Sequence, residues 1–334
     1  MKPKNNLRIG LDVGNYSVKC VQIVRTKDKA VLQKAVYMPL AGQNADNLTA
    51  VLKPLQEMIL ASPNRVRLVL SGSSLLVRCV ALPAMTHTEL KGAIRFEAEN
   101  HIAFPIDDCI LDFQILNQNP EKKTMNVLLV AAKRDFIQER LQMLADIDIK
   151  PEIIDVDTFC LVNAFQFLSS VPEEKIYGLL NIGHRISSFA IVQDGLPLFV
   201  RELPMGGSAV TKAIAESKGI AENEAEAFKV ARAAENTEEL KVATQKGLQP
   251  LVDEIKNSVD YYENESGQNF KSLWLSGGGV LSFEAIALVS AGLGKEAALW
   301  DGLKKLEIGP DVDRKMLEAH AAEFNVAFGL ALRG

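Results

Sequence analysis

The sequence predicts an α/β fold of two lobes with a duplicated centre. Three observations predict it. Apolar strand-like runs alternate with helical stretches along the chain. The order apolar strand, D/N-x-G turn, apolar strand occurs near residue 7 and returns near residue 176. A chain of 334 residues, 48% of them hydrophobic, is long enough for about two domains with cores of their own.

Taken in order, Leu7 to Val24 reads as strand, turn and strand around Asp12-Val13-Gly14-Asn15. A third strand runs near Val31 to Met38. Asp46 is placed to cap a helix carrying Leu48, Val51, Leu52, Leu55 and Ile59, with a kink expected at Pro54. Val66 to Leu70 and Leu75 to Leu82 read as further strands. Pro83 then opens a different unit. Thr88 is placed to cap a helix to about His101, strands follow at Cys109 to Leu116 and Val127 to Ala132, and a helix runs from Asp135 to Ala145. This α+β unit looks inserted into the surrounding fold.

Pro151 returns the chain to a strand at Ile153-Ile154 and a helix to Leu168. Pro172 and Glu173-Glu174 mark a boundary. The opening pattern then repeats: strand Ile176 to Ile182, turn Gly183-His184-Arg185, strand Ser188 to Gln193, and a third strand from Leu196 to Leu203. Ser208 is the expected cap of a helix that stops at Gly219. A Glu-rich helix spans Ala221 to Ala234, and a long one starts at Pro250, with proline in its first turn. Strand Ser272 to Ser276 ends on Gly277-Gly278-Gly279 before another helix.

Charge and composition exclude several functions. Net charge is −5, from 37 basic and 42 acidic residues, which argues against nucleic-acid binding through general electrostatics. Aromatics are only 6%, too few for a base-stacking platform. No stretch approaches the roughly 20 apolar residues that a membrane span needs. The run Ile9 to Val24 is broken by Asp12, Asn15, Ser17 and Lys19, so it is not a signal-peptide core. Four scattered cysteines fit a reducing cytoplasm, and the four histidines have no metal-ligand spacing.

Three elements carry chemistry when read together. In the first turn, Gly14 lets backbone N–H groups approach a phosphate closely. Asn15 and Ser17 add polar contacts, and Lys19 supplies a point charge. Asp12 would orient water around Mg2+, a cation that keeps most of its own waters. The second turn offers Asn181, Gly183, His184 and Arg185. The third, Gly277, Gly278 and Gly279, lets the backbone lie flat against a base or ribose. Each alone is equally an ordinary turn. In this order, each after an apolar strand, they point to a phosphate chain clamped from two sides.

On these residues the chain resembles the actin-like ATPase superfamily, which includes actin, Hsp70 chaperones, sugar kinases and FtsA. Asp12 to Lys19 is similar to its first phosphate motif, Asn181 to Ser188 to the second, and Leu275 to Val280 to the adenosine motif. Ile154 to Asp157 and Asn325 to Leu332 resemble the two connecting segments. Further stretches resemble the PilM family of type IV pilus assembly: Phe96-Glu97-Ala98-Glu99, Phe104 to Asp108, Val127 to Lys133, Arg201-Glu202 and Phe328 to Arg333.

The resemblance implies a ribonuclease H-like duplicated, two-lobed, actin-like fold with an FtsA/PilM-type 1C subdomain. It implies subdomain 1A from residues 1–82 and 151–174, with 318–334 packing back near it. Subdomain 1C is then 83–150, subdomain 2A is 175–203 and 268–317, and subdomain 2B is 204–267. It implies ATP or ADP with Mg2+ as cofactor. Glu226 and Lys229 would reach the adenosine; the alternative is an exposed i,i+3 ion pair. It also implies a cytoplasmic scaffold that binds the cytoplasmic tail of a PilN-like inner-membrane protein, together with other pilus assembly proteins. Nucleic acid and direct membrane insertion have no place in it. Leu75, Val77, Val80 and Leu82 are candidates for the partner groove.

One departure bears on catalysis. Asn181 stands where the second motif usually has Asp, so a carboxylate beside the hydrated metal is missing, and hydrolysis is expected to be weak or absent. Asp157 either orients an attacking water or caps the helix after it. Arg185 either grips phosphate or fills space. An FtsA-like polymerising adaptor, a type II secretion adaptor and a small-molecule kinase are the alternative readings.

Overall fold

Two sheets with the same strand order form the centre of the molecule. In the computed structural model, residues 6–40, 48–60, 65–102, 104–121, 123–169, 175–232, 235, 237–282 and 284–333 are described. The chain opens with β1 (Leu7–Val13), β2 (Ser17–Arg25) and β3 (Ala30–Pro39), an antiparallel meander. Helices α1 (Leu48–Leu52) and α2 (Gln56–Leu60) flank a short 3₁₀ turn at Lys53–Leu55. The expected break at Pro54 lies in that turn, since proline removes a helical donor. The expected cap, Asp46, lies outside the described residues, as do Pro172, Glu173 and Glu174.

Strand β4 (Val66–Leu70) joins β1 in parallel. Strand β5 (Leu75–Pro83) does not. It was grouped above with the first lobe, but it is hydrogen-bonded into a separate three-stranded sheet with β6 (Cys109–Asn119) and β7 (Thr124–Lys133), in the order β5-β7-β6. The small unit therefore begins eight residues earlier than Pro83, at Leu75. Its helices are α3 (His87–Glu99) and α4 (Arg134–Ala145). Thr86, not Thr88, caps α3. Its hydroxyl accepts the Glu89 N–H while Glu89 returns to the Thr86 N–H, a reciprocal capping box that Thr88 has no partner to form.

Strand β8 (Ile153–Val156) completes the first sheet beside β4, and α5 (Asp157–Leu168) follows. The second lobe repeats the plan with β9 (Ile176–Ile182), β10 (Ser187–Gln193) and β11 (Leu196–Leu203). Helices α6 (Ser208–Lys218), α7 (Glu222–Ala231) and α8 (Glu238–Ser266) come next. Ser208 is the first residue of α6 rather than its cap; Gly207 holds the cap position, with no side chain to bond. Gly219 ends α6 in the left-handed conformation, as expected. Thr237 caps helix α8, and Pro250 lies inside it. Leu240, Ala243, Leu248, Leu251, Ile255 and Val259 continue one buried face through the proline, and that packing outweighs the local penalty of about 3 kcal/mol.

Strand β12 (Ser272–Ser276) enters beside β9, and α9 (Ala285–Leu293) leads to β13 (Glu296–Leu299). Strand β14 (Glu307–Ile308) reaches back to β3. Helices α10 (Arg314–Ala319) and α11 (Asn325–Leu332) close the described chain. The sheet orders are β14-β3-β2-β1-β4-β8 and β11-β10-β9-β12-β13, so the five-strand series β3-β2-β1-β4-β8 has its equivalent in the second lobe. Between the lobes lie α5 and α11. Gly329 fits against Cys160 so closely that a Cβ there would sit 1.7 Å from the Cys160 carbonyl oxygen. Gly10 leaves the same kind of room beneath Ala327, at 2.3 Å. Every residue of α11 is buried.

Candidate functional site

The two equivalent hairpins end in equivalent turns. In the first, Asp12 lies opposite Lys19 and the Gly14 N–H donates to the Ser17 carbonyl at 3.1 Å. In the second, Asn181 lies opposite Ser188 and the Gly183 N–H donates to the Ile186 carbonyl, also at 3.1 Å. The turns face each other: the Tyr16 ring meets the His184 ring at 5.2 Å between centroids. Between them lies a cleft of about 990 Å3. That is the size of a cavity for an organic cofactor.

The cleft brings together nearly all the residues expected from the sequence. Asp12, Gly14, Asn15, Ser17 and Lys19 line it from the first turn, and Asn181, Gly183 and His184 from the second. Asp157, Glu226, Lys229, Gly277, Gly278 and Gly279 complete the wall. Arg185 does not take part: it is exposed and lies outside the lining. In a turn this tight, neighbouring side chains diverge, and His184 has the inward position.

Lys19 and Asp12 form an ion pair at 3.1 Å, each about one-tenth exposed. Lys229 donates to Glu226 at 2.7 Å, to the Thr211 hydroxyl at 2.7 Å and to the Gly207 carbonyl at 3.1 Å. Glu226 and Lys229 are thus an i,i+3 pair, but a buried one facing the cleft rather than an exposed one. Burial draws the Lys229 ammonium below its ordinary value, while Glu226 pulls it back up. Burial also lowers His184, which favours its neutral form.

Asp157 is the first residue of α5 rather than its cap; Val156 holds the cap position and no side chain caps it. The Asp157 carboxylate accepts the Thr158 N–H at 2.6 Å and the Ser188 hydroxyl from the opposite lobe. Burial opposes its ionisation and pushes its pKa up to about 6, with the Asp12 charge adding to the effect. The triglycine segment is held without slack. A Cβ on Gly277 would meet the Ile182 carbonyl oxygen at 2.4 Å, and one on Gly279 would meet the Ile182 side chain at 2.4 Å. Gly277 also has φ +88°, a conformation suited to glycine.

Among the lining residues that sequence reasoning missed are Tyr16, Tyr37, His320 and Glu323. Tyr37 stacks on His320 at 3.7 Å, and both bond to Glu323, the tyrosine at 3.2 Å and the histidine at 2.8 Å. These residues come from β3 and the segment before α11, nearly 290 positions apart, so no local spacing could announce them. Burial and Glu323 together push the Tyr37 phenol up.

The lining fits a phosphate-bearing cofactor. Two glycine turns bring bare backbone to the cleft wall, and Lys19 and Lys229 supply positive charge. No group of three or more His, Cys, Asp or Glu among the described residues could hold a metal by itself. The carboxylates of the lining are Asp12, Asp157, Glu226 and Glu323.

A family model described as type IV pilus assembly protein PilM matches residues 10–334. The chain belongs to that family. A solved structure of a PilM-PilN type IV pilus biogenesis complex is 25% identical, over 98% of each chain, with a TM-score of 0.82. MreB 5 of Spiroplasma citri, bound to AMPPNP, shares the fold at 11% identity and a TM-score of 0.52, over 98% of this chain and 95% of its own. The ethanolamine utilization protein EutJ of Carboxydothermus hydrogenoformans does so at 12% identity and a TM-score of 0.50, over 98% and 90%. The PilM family thus gives this chain its actin-like fold and its place in type IV pilus assembly. No helix among the described residues is long and apolar enough to cross a membrane.

The expected groove residues are corrected by the packing. Leu75, Val80 and Leu82 are buried in the cores under the small sheet. Val77 is half-buried between two such clusters. None of the four forms an open surface, because strand alternation turns their faces toward α3, α4 and β11 rather than to solvent.

Proposed function

We propose that this protein is a nucleotide-binding scaffold of type IV pilus assembly that holds the cytoplasmic tail of a PilN-like inner-membrane protein. One observation carries the nucleotide part. Two register-equivalent glycine turns face each other across one cleft, with Lys19 on one side and Lys229 on the other. That arrangement suits ATP or ADP with Mg2+. The partner part rests on family membership and on the PilM-PilN complex being its 25%-identical relative. The tail would dock between the first lobe and the small β5-β7-β6 unit, and the protein would work in the cytoplasm, recruited to the inner membrane through that tail.

Within the cleft the roles divide. The turn amides of the two hairpins bind phosphate oxygens. Lys19 is within reach of both Asp12 and the phosphate path, so it exchanges one anionic partner for another. Asp12 orients water in the metal's shell. Lys229, Glu226 and the triglycine wall hold the nucleoside. Mg2+, when bound, offsets phosphate charge. Asp157 has both its oxygens engaged by Thr158 and Ser188. With Asn181 uncharged, no second carboxylate stands ready to take a proton from water, so turnover stays below about 1 s⁻¹, the low end of enzyme rates.

Calorimetry tests both parts. ATP or ADP should bind the wild type, bind weakly to Lys19→Ala, and show stronger Mg2+ dependence in Asn181→Asp. A peptide copying the tail of a PilN-like protein should bind with heat release. A wild type with no affinity for either nucleotide would overturn the cleft assignment, and one deaf to the peptide would overturn the scaffold.

A further inference from the structure

A chain of contacts leaves the cleft and ends at the root of the small unit. It starts at Asp157, which lines the cleft and accepts the Ser188 hydroxyl. Ser188 on β10 lies directly opposite Glu202 on β11. Side chains so paired stand on one face of the sheet, with Cβ atoms about 5 Å apart. The Glu202 carboxylate then accepts the Gly72 N–H at 2.7 Å.

Gly72 lies in the turn that carries the chain from β4 into β5, from the first sheet into the small sheet. Its φ is +133°, which disfavours any side chain there. The space beside it is shared by Ile186, from the second glycine turn, and Phe136, from α4 of the small unit. The turn is fixed further by the Leu75 N–H on the Gly72 carbonyl and the Lys133 N–H on the Ser74 carbonyl, both at 2.9 Å. Three parts of the molecule meet at this one amide.

Glu202 has no cation. Among the described contacts its only polar partner is the Gly72 amide. Burial and the nearby Asp157 charge both oppose its ionisation. A half-buried carboxylate near another carboxylate is a costly device for holding a turn. An amide or a hydroxyl would hold it as well. What the carboxylate adds is sensitivity to charge at Asp157.

We infer that Glu202 is a positioning residue that links the cleft to the small unit, its grip on the Gly72 amide being set by the charge present beside Asp157. The link rests on the nucleotide reading of the cleft. A hydrated cation brought in with phosphate offsets the Asp157 charge and relieves its repulsion of Glu202. The Glu202 oxygen becomes a stronger acceptor, and the turn into β5 stiffens. The partner tail, docked where the small unit meets the first lobe, then meets a pre-ordered surface and binds more tightly.

Hydrogen exchange of the segment 71–76, followed by peptide affinity, tests this. In the wild type, Mg2+ with ATP should slow exchange at Gly72 by about threefold to tenfold, the effect of strengthening one hydrogen bond. Peptide affinity should rise by a similar factor. In Glu202→Ala the exchange should be fast and indifferent to nucleotide, and the affinity gain should vanish. Glu202→Gln, which keeps an acceptor oxygen without the charge, should restore slow exchange but not the response. If Glu202→Gln responds to nucleotide as the wild type does, the charge link is wrong. If the wild type binds nucleotide and Gly72 does not respond, the inference falls while the cleft assignment stands. A wild type that binds no nucleotide removes the cleft assignment itself.

Discussion

The first and second hairpins have one backbone and two chemistries. Each places a glycine amide on the carbonyl three residues later at 3.1 Å, and each sits at the middle of a sheet of equivalent order. At the same register position the first has a buried ion pair, Asp12 with Lys19, and the second has Asn181 opposite Ser188. Duplication supplied the clamp's geometry; charge was kept on one jaw. The first jaw carries a paired carboxylate and ammonium, the second an amide and a hydroxyl. The glycines differ in the same sense. A Cβ on Gly14 would come to 3.0 Å from the Ser17 oxygen and 3.2 Å from the movable Lys19 amine, whereas on Gly183 it would come to 2.5 Å from the Ile186 oxygen, a fixed backbone atom.

The largest break in this comparison should come from Lys19→Ala. It strands Asp12 in a site about one-tenth exposed and costs about 3 kcal/mol by urea denaturation, at the low end for a severed buried pair. The second jaw has no equivalent pair to lose. Next, Gly183→Ala should cost about 2 kcal/mol because backbone must move, while Gly14→Ala should cost clearly less. Equal losses in the two would show that the turns are equally tight, against the geometry.

A pH titration sharpens the comparison from between the jaws. Burial raises Asp157 above its unfolded value of 3.8, so the folded state holds this proton more firmly than the unfolded state. The stability it lends is present below pH 3.8 and is lost as pH rises through the raised value. The slope from one such group is at most about 1.4 kcal/mol per pH unit. Asp157→Asn should flatten the profile in that window. The smallest effect belongs to Arg185→Ala. An exposed residue outside the cleft should change denaturation by no more than about 0.5 kcal/mol and leave nucleotide affinity unchanged.

The elements that positioned the clamp were legible because they repeat. Strand, turn and glycine recur in the same order, and a repeated local pattern survives errors in single elements. The misses have local causes. Thr86 and Thr88 are both good caps, and only the reciprocal bond with Glu89 separates them. Pro250 resembled a helix start because proline favours first turns, but the apolar stripe upstream of it already ran from Leu240. The sheet that β5 joins was not legible, because a strand's sequence does not name its partner. The Tyr37, His320 and Glu323 cluster was invisible for a different reason: its members meet only after the chain's late segments return to β3.

The wholly buried helix α11 has a consequence for how the chain is made. With Phe324 just before it, the helix supplies Ala327, Phe328, Ala331 and Leu332 to a core shared by β2, β3 and α5 with β9, β10 and β11 of the second lobe, and Gly10 of β1 is shaped to receive it. A ribosome delivers β1 first and α11 last. The sheets of both lobes are therefore delivered before the helix that completes the core they share. Until residue 332 emerges, the lobe that holds Lys19 is an open half waiting for its keystone.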